Sequence, residues 1–135
     1  LHGIIPVVTS RNTKGVDVIA VAPDGQTSVP IQVKTTQKKK AKYWPFGDKE
    51  FDEPPRSRYF YVLVRPVGDD FQKGADFFVV PNKVVYERAG PPHRKWKRAQ
   101  RKKKRKASGV PHFDLRSGDK VRYLNRWDNL GLSRQ

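Results

Sequence analysis

Cysteine is absent from the chain, which excludes disulfides and thiolate-bound zinc and fits a reducing, cytoplasmic compartment. Methionine is absent too, and the first residue is Leu1; both are expected of a fragment or a processed product. No apolar run approaches the roughly 18 residues of a membrane span, and no secretory leader is visible. Internal repeats and a glycine-rich phosphate loop are also lacking. His2, His93 and His112 follow no ligand spacing, so each reads as a solvated or core histidine, and no Ser/His/Asp set is discernible. Acid is scarce: 13 Asp and Glu stand against 29 Lys and Arg, a formal charge of +16. That imbalance points to a polyanionic partner, most simply nucleic acid. An acidic membrane surface would need an amphipathic apolar face beside the basic runs, and the sequence offers none.

The 135 residues suffice for one ordinary domain, and the apolar residues are gathered into runs that can build its core. The organising stretch is GVDVIAVAPDGQTSVPIQVKTT, residues 15–36. Residues 16–22 and 28–34 are β-branched runs around Pro23-Asp24-Gly25-Gln26, and Asp-Gly is the dipeptide of a two-residue type I′ hairpin. With Asp24 and Gly25 at the turn, Asp17 falls opposite Gln32, their Cβ atoms roughly 5 Å apart. Lys34, two residues on, points to the same face. Pro30 then falls opposite Ile19, where it cannot donate to the ladder. A bulge or a longer turn is therefore an alternative, and a one-residue slip would part Asp17 from Gln32.

Asp17 followed across a hairpin by Gln32-Val33-Lys34 resembles the PD-(D/E)XK, or restriction-endonuclease-like, nuclease superfamily in its Q-x-K form. Val16 stands where that family has proline, and Gln32 where it usually has an acid. The later runs FYVLV, DFFVVPNKVV and YLNRWDNLGL resemble uncharacterised bacterial members, which extends the likeness over most of the chain. The resemblance implies an α/β (α+β) fold, a central mixed sheet flanked by helices, as one nuclease-like domain over residues 1–135. It implies Asp17, Gln32 and Lys34 as catalytic residues. Asp17, the Gln32 amide oxygen and the Val33 backbone carbonyl would hold Mg²⁺ or Mn²⁺, and Lys34 would orient or activate the attacking water. The family's N-terminal helix, often the source of another acidic ligand, has no counterpart among the three residues before Ile4. The alternative is a module of the same fold that binds nucleic acid and has lost catalysis.

The remaining chain reads in order. Residues 4–9 form an edge strand, and residues 10–14 a polar connection. Residues 37–58 are a long basic and aromatic insertion carrying Lys38, Lys39, Lys40 and Lys42. Its lysines are candidates for phosphate contacts and its aromatics for stacking on bases, with Trp44 and Phe46 read in preference as anchors to the core. Its acids Glu50, Asp52 and Glu53 read as charges that offset its lysines, the alternative being that one of them joins the metal site. Residues 59–65 are a central strand covered on both faces, and residues 75–80 another strand. Asn82 reads as the cap of a short helix over 83–89, closed by Gly90 and Pro91. Residues 93–106 form an exposed helix or a basic arm, with Arg94, Lys95, Lys97, Arg98, Arg101, Lys102, Lys103, Lys104, Arg105 and Lys106 as candidate nucleic-acid contacts. Residues 110–115 suit a short edge strand. Ser117 caps a final helix with Asp119 at its positive end. Tyr123, Trp127 and Leu130 then fall on one helical face. DNA is favoured over RNA as partner, and the oligomeric state is left open, a homodimer included.

Overall fold

Seven strands and two helices make up the computed structural model, which describes residues 5–8 and 16–132. The strands are β1 (Ile5–Val8), β2 (Val18–Val21), β3 (Ser28–Thr35), β4 (Tyr43–Pro45), β5 (Phe60–Pro66), β6 (Ala75–Pro81) and β7 (His112–Asp114), and the helices are α1 (Asn82–Lys102) and α2 (Asp119–Tyr123). The fold is mixed α/β. Its five-stranded sheet runs β1-β2-β3-β5-β6, with β3 and β5 parallel and every other neighbouring pair antiparallel. The expected polar connection at 10–14, and any segment preceding Ile4, lie outside the described residues. No helix among the described residues is long and apolar enough to cross a membrane.

The β2–β3 hairpin keeps the expected register, Ile19 opposite Pro30 and Ala20 opposite Val29, but its turn is not type I′. Of the central residues only Gly25 has positive φ, at 72°. Its N–H donates to Ala22 O at 2.9 Å, so Pro23, with φ preset by its ring, leads the turn. The Asp24 carboxylate accepts from Gln26 N at 2.8 Å, and Ala22 N closes the loop on Thr27 O at 2.8 Å. Antiparallel ladder bonds alternate along the strands. Counting inward from Ala22–Thr27 places Ile19–Pro30 at a pair without mutual hydrogen bonds, so on that edge proline's missing N–H is not needed.

Strand β5 is buried along its whole length, as its continuous apolar run requires. On one face Tyr59, Tyr61 and Leu63 join Trp44, Phe46, Phe51, Phe78 and Phe113 in a first core. On the other, Phe60, Val62 and Val64 join Val29, Ile31 and Val79 in a second. A parallel pair needs a long crossover, usually a helix. Here the insertion supplies it, strapped over the first core. Trp44 and Phe46 anchor it as expected: both are buried, and Trp44 Nε1 donates to Val64 O at 3.2 Å. Strand β4 pairs with β7 in a separate two-stranded ribbon.

Two helical expectations are corrected. The first helix does not stop at Gly90 but runs 21 residues, through Pro91 and Pro92. Proline inside a helix costs on the order of 3 kcal/mol, so the extension must be held from outside. The holding contacts lie at Val85, Ala89, His93 and Lys97, one buried stripe at helical spacing. Asn82 does not cap α1; its side-chain oxygen accepts the Arg56 N–H at 2.8 Å. The expected single C-terminal helix is likewise short. α2 spans five residues, starts from Gly118 rather than Ser117, and gives way to a 3-10 turn at Trp127–Leu130. Between them the chain passes the free edge of β6, Asn125 N donating to Phe77 O at 2.7 Å. Tyr123 therefore enters the first core, while Trp127 and Leu130 pack on the second.

Candidate functional site

The ladder of β2 with β3 ends at Val18–Ile31, and Asp17 N donates to Ile31 O at 2.9 Å. Two residues, Asp17 and Val18, thus address one on β3, which is a bulge. The side chains agree, for Val16 packs on the first core and Val18 on the second, although residues two apart in an unbroken strand share a face. Asp17 is therefore not squarely opposite Gln32. Its Oδ2 accepts the Val33 N–H at 2.8 Å instead. Thr36 N bonds Val64 O at 2.9 Å, so the even-numbered residues of β3 address β5 and the odd ones address β2. Val33 accordingly directs its carbonyl, like its N–H, to the side of Asp17.

Gln32 and Lys34 both rise from the first-core face. The Gln32 Oε1 accepts from Tyr59 Oη at 3.1 Å, and Lys34 Nζ sits 5.4 Å from the centre of the Phe46 ring. Beside them Tyr61 Oη donates to Glu50 Oε1 at 2.8 Å. Burial, with the Glu50 charge second, pushes the Tyr59 phenol up to about 12. The same two causes carry Tyr61 higher still. Both phenols remain protonated donors through the neutral range. Gln32, Glu50, Arg56, Tyr59, Tyr61 and Asn82 line one cleft of about 530 Å³ at the start of α1. Glu50 was legible only as a loop acid. The signal for its position is the pair Tyr59 and Tyr61, alternate residues on the strand next to Gln32.

Among the described residues no group of three or more His, Cys, Asp or Glu is arranged to hold a metal ion. The three expected oxygen donors have separate partners: the Asp17 carboxylate takes the Val33 N–H, the Gln32 amide oxygen takes the Tyr59 hydroxyl, and the Val33 carbonyl faces the side of Asp17. An amide oxygen has two lone pairs, so the bond from Tyr59 does not exhaust Gln32. Hard oxygen ligands with a single formal charge suit Mg²⁺, which keeps several waters of its own.

The candidate phosphate contacts divide. Lys38, Lys39, Lys40 and Lys42 are exposed just beyond β3, with Lys39 Nζ 3.6 Å from Asp69. On α1, Lys95, Arg98, Arg101 and Lys102 are exposed, and Lys103, Lys104, Arg105 and Lys106 continue beyond it, also exposed. Arg94 lies over the Tyr86 ring at 5.0 Å. Lys97 does not belong to the exposed set: it is buried, and its Nζ lies 3.0 Å from Asp48 Oδ2. The same carboxylate takes the Gly109 N–H at 2.9 Å and lies 2.9 Å from His93 Nε2. The Gly109 N–H first, then Lys97, hold its pKa down to about 2. His93 is thus a core histidine tied to Asp48, and His112 is exposed. His2 lies outside the described residues. Compared with protein-family models, curated proteins and solved structures, the chain has no match.

Proposed function

We propose that the protein is a metal-dependent nuclease of restriction-endonuclease-like fold, cytoplasmic, hydrolysing phosphodiester bonds in nucleic acid, DNA foremost. The observation that carries this reading is the 2.8 Å bond from Val33 N to Asp17 Oδ2. It ties the acid of the hairpin's first strand to the middle residue of the Gln32-Val33-Lys34 run on its second. Asp17, Gln32 and the Val33 carbonyl would hold Mg²⁺ or Mn²⁺, which would supply Lewis acidity for a phosphoryl oxygen and a bound water. Lys34, steadied over Phe46, offsets the negative charge that develops in the transition state. The exposed cations beyond β3 and along α1 supply the phosphate contacts.

Cleavage of labelled DNA and RNA across a Mg²⁺ and Mn²⁺ series tests this. Asp17→Ala and Lys34→Ala should each lower turnover on the order of a hundredfold while duplex affinity in EDTA stays within about twofold. Gln32→Glu should tighten metal binding, read by calorimetry. Unchanged metal affinity in that variant would remove Gln32 from the site. A second reading, a binding module without catalysis, is favoured by the Tyr59–Gln32 hydrogen bond of 3.1 Å, which gives the amide a structural task. Absence of cleavage on every substrate and metal leaves that reading in place.

A further inference from the structure

A second hollow lies away from this cleft, between the middle of α1 and residues 109–116, with a volume of about 430 Å³, within the roughly 300–1,000 Å³ of ordinary ligand pockets. Its helix wall carries Arg88, Pro92 and Trp96, and its strap wall carries Val110, His112 and Arg116. Asp114 is the only acid among its lining residues. One aromatic stack lies in its wall, and a second, through His112, borders it. Trp96 is 40% exposed and stacks on His93 at 5.8 Å and 14°. Tyr43, 50% exposed, stacks on His112 at 5.0 Å and 21°.

The Trp96–His93 stack is held without a ligand. Asp48 ties His93 to Gly109, and Gly109 lies so close to Trp96 that a Cβ there would fall 2.9 Å from the indole. A large aromatic left partly in solvent and yet immobilised on its other sides is a platform for a flat partner. The charge around it is positive. Arg116 is exposed in the groove, and Lys95 and Arg98, one and two residues from Trp96 and so turned to other faces of α1, are exposed on the same helix. Arg88 is the exception, its guanidinium already committed to Asp119.

We propose that this groove binds single-stranded nucleic acid, bases stacking on Trp96 and on the Tyr43–His112 pair and phosphates meeting Arg116 and its neighbouring cations. Base faces are available for such stacking only when they are unstacked from a duplex. An acidic peptide would satisfy the cations but leave the two ring platforms without a flat partner. The inference rests on the nucleic-acid reading above and not on catalysis, since none of these residues lines the Gln32 cleft.

The full chain titrated with an oligothymidylate of about eight nucleotides, in EDTA, tests it. Binding should quench tryptophan fluorescence. Trp96→Ala should weaken single-strand affinity roughly tenfold with the salt slope unchanged, and Trp96→Phe should restore most of it. Arg116→Ala should instead lower the slope by about 0.7. His112→Ala, at an exposed position, should weaken binding as well and serves if Trp96→Ala does not fold. Duplex of the same sequence should bind all variants except Arg116→Ala as it binds the parent. Equal affinity of Trp96→Ala or His112→Ala and parent for the oligonucleotide, equal losses on duplex, or displacement by polyglutamate as effective as by oligonucleotide would overturn the proposal. Because binding is read in EDTA, failure here and failure of metal-dependent cleavage are separate results.

Discussion

Asp119 shows at the residue scale what sequence reasoning can and cannot reach. Its place in the first turn of a helix was legible, and a favourable position near the positive end of the helix dipole was the natural reading. In the fold it is 1% exposed, gripped by both Arg88 terminal nitrogens at 2.6 and 2.9 Å and by Arg116 N at 2.6 Å. Burial alone would raise the carboxyl; the Arg88 fork and the Arg116 N–H outweigh it and leave it below the ordinary carboxylate range. Arg88 in turn lies over Phe113 at 5.2 Å, so one ion pair joins α1, β7 and α2. Removing one partner strands the other charge. Asp119→Ala is expected to cost about 3–5 kcal/mol, measured as a shift of the urea midpoint without a change in slope. The Asp17 bulge is a second case. Its residues and the neighbouring strand were legible, but the transfer of the carboxylate from Gln32 to the Val33 N–H depends on where the ladder stops, which strand patterning does not record.

Among the elements, the strands of the main sheet were readable, β4 inside the insertion was not, and the helices were readable at their starts but not in their extents. Strand β5 announces itself because two cores demand apolar residues on both faces. The turn before β2's partner was misread in type yet right in register, since a four-residue loop centred on the same dipeptide pairs the same residues. The helix boundaries failed because proline and glycine speak only for local preference. Through Gly90-Pro91-Pro92 that preference is overridden by His93 and Lys97, both anchored on Asp48. Asp48→Asn should therefore fray the distal part of α1, speeding amide exchange over 93–102 while 82–89 stays protected. The pH dependence has a definite sign. The carboxyl's folded pKa is depressed from 3.8 to about 2, so its stabilisation is complete above its unfolded pKa. It is lost as pH falls through about 2. Thermal melts between pH 5 and pH 2 should show this decline, and Asp48→Asn should flatten it.

For the molecule as a whole, the +16 charge sets, on the proposed reading, how it would meet nucleic acid. Each duplex phosphate neutralised adds about 0.9 to the slope of log affinity against log salt. Changing Arg101, Lys102, Lys103, Lys104, Arg105 and Lys106 to glutamine should lower that slope, measured by anisotropy over a salt series. An unchanged slope would take the end of α1 out of the interface. The closing segment bears on the making of the protein rather than its use. Asn125 bonds β6 at Phe77 O, Asn129 Nδ2 reaches Val79 O at 3.1 Å, and Leu130 and Leu132 are buried in the second core. In a folding chain whose sheet forms ahead of this segment, β6 presents an unpaired edge, and exposed edges recruit other strands. Docking of residues 124–132 is therefore the step that guards the nearly finished sheet against aggregation.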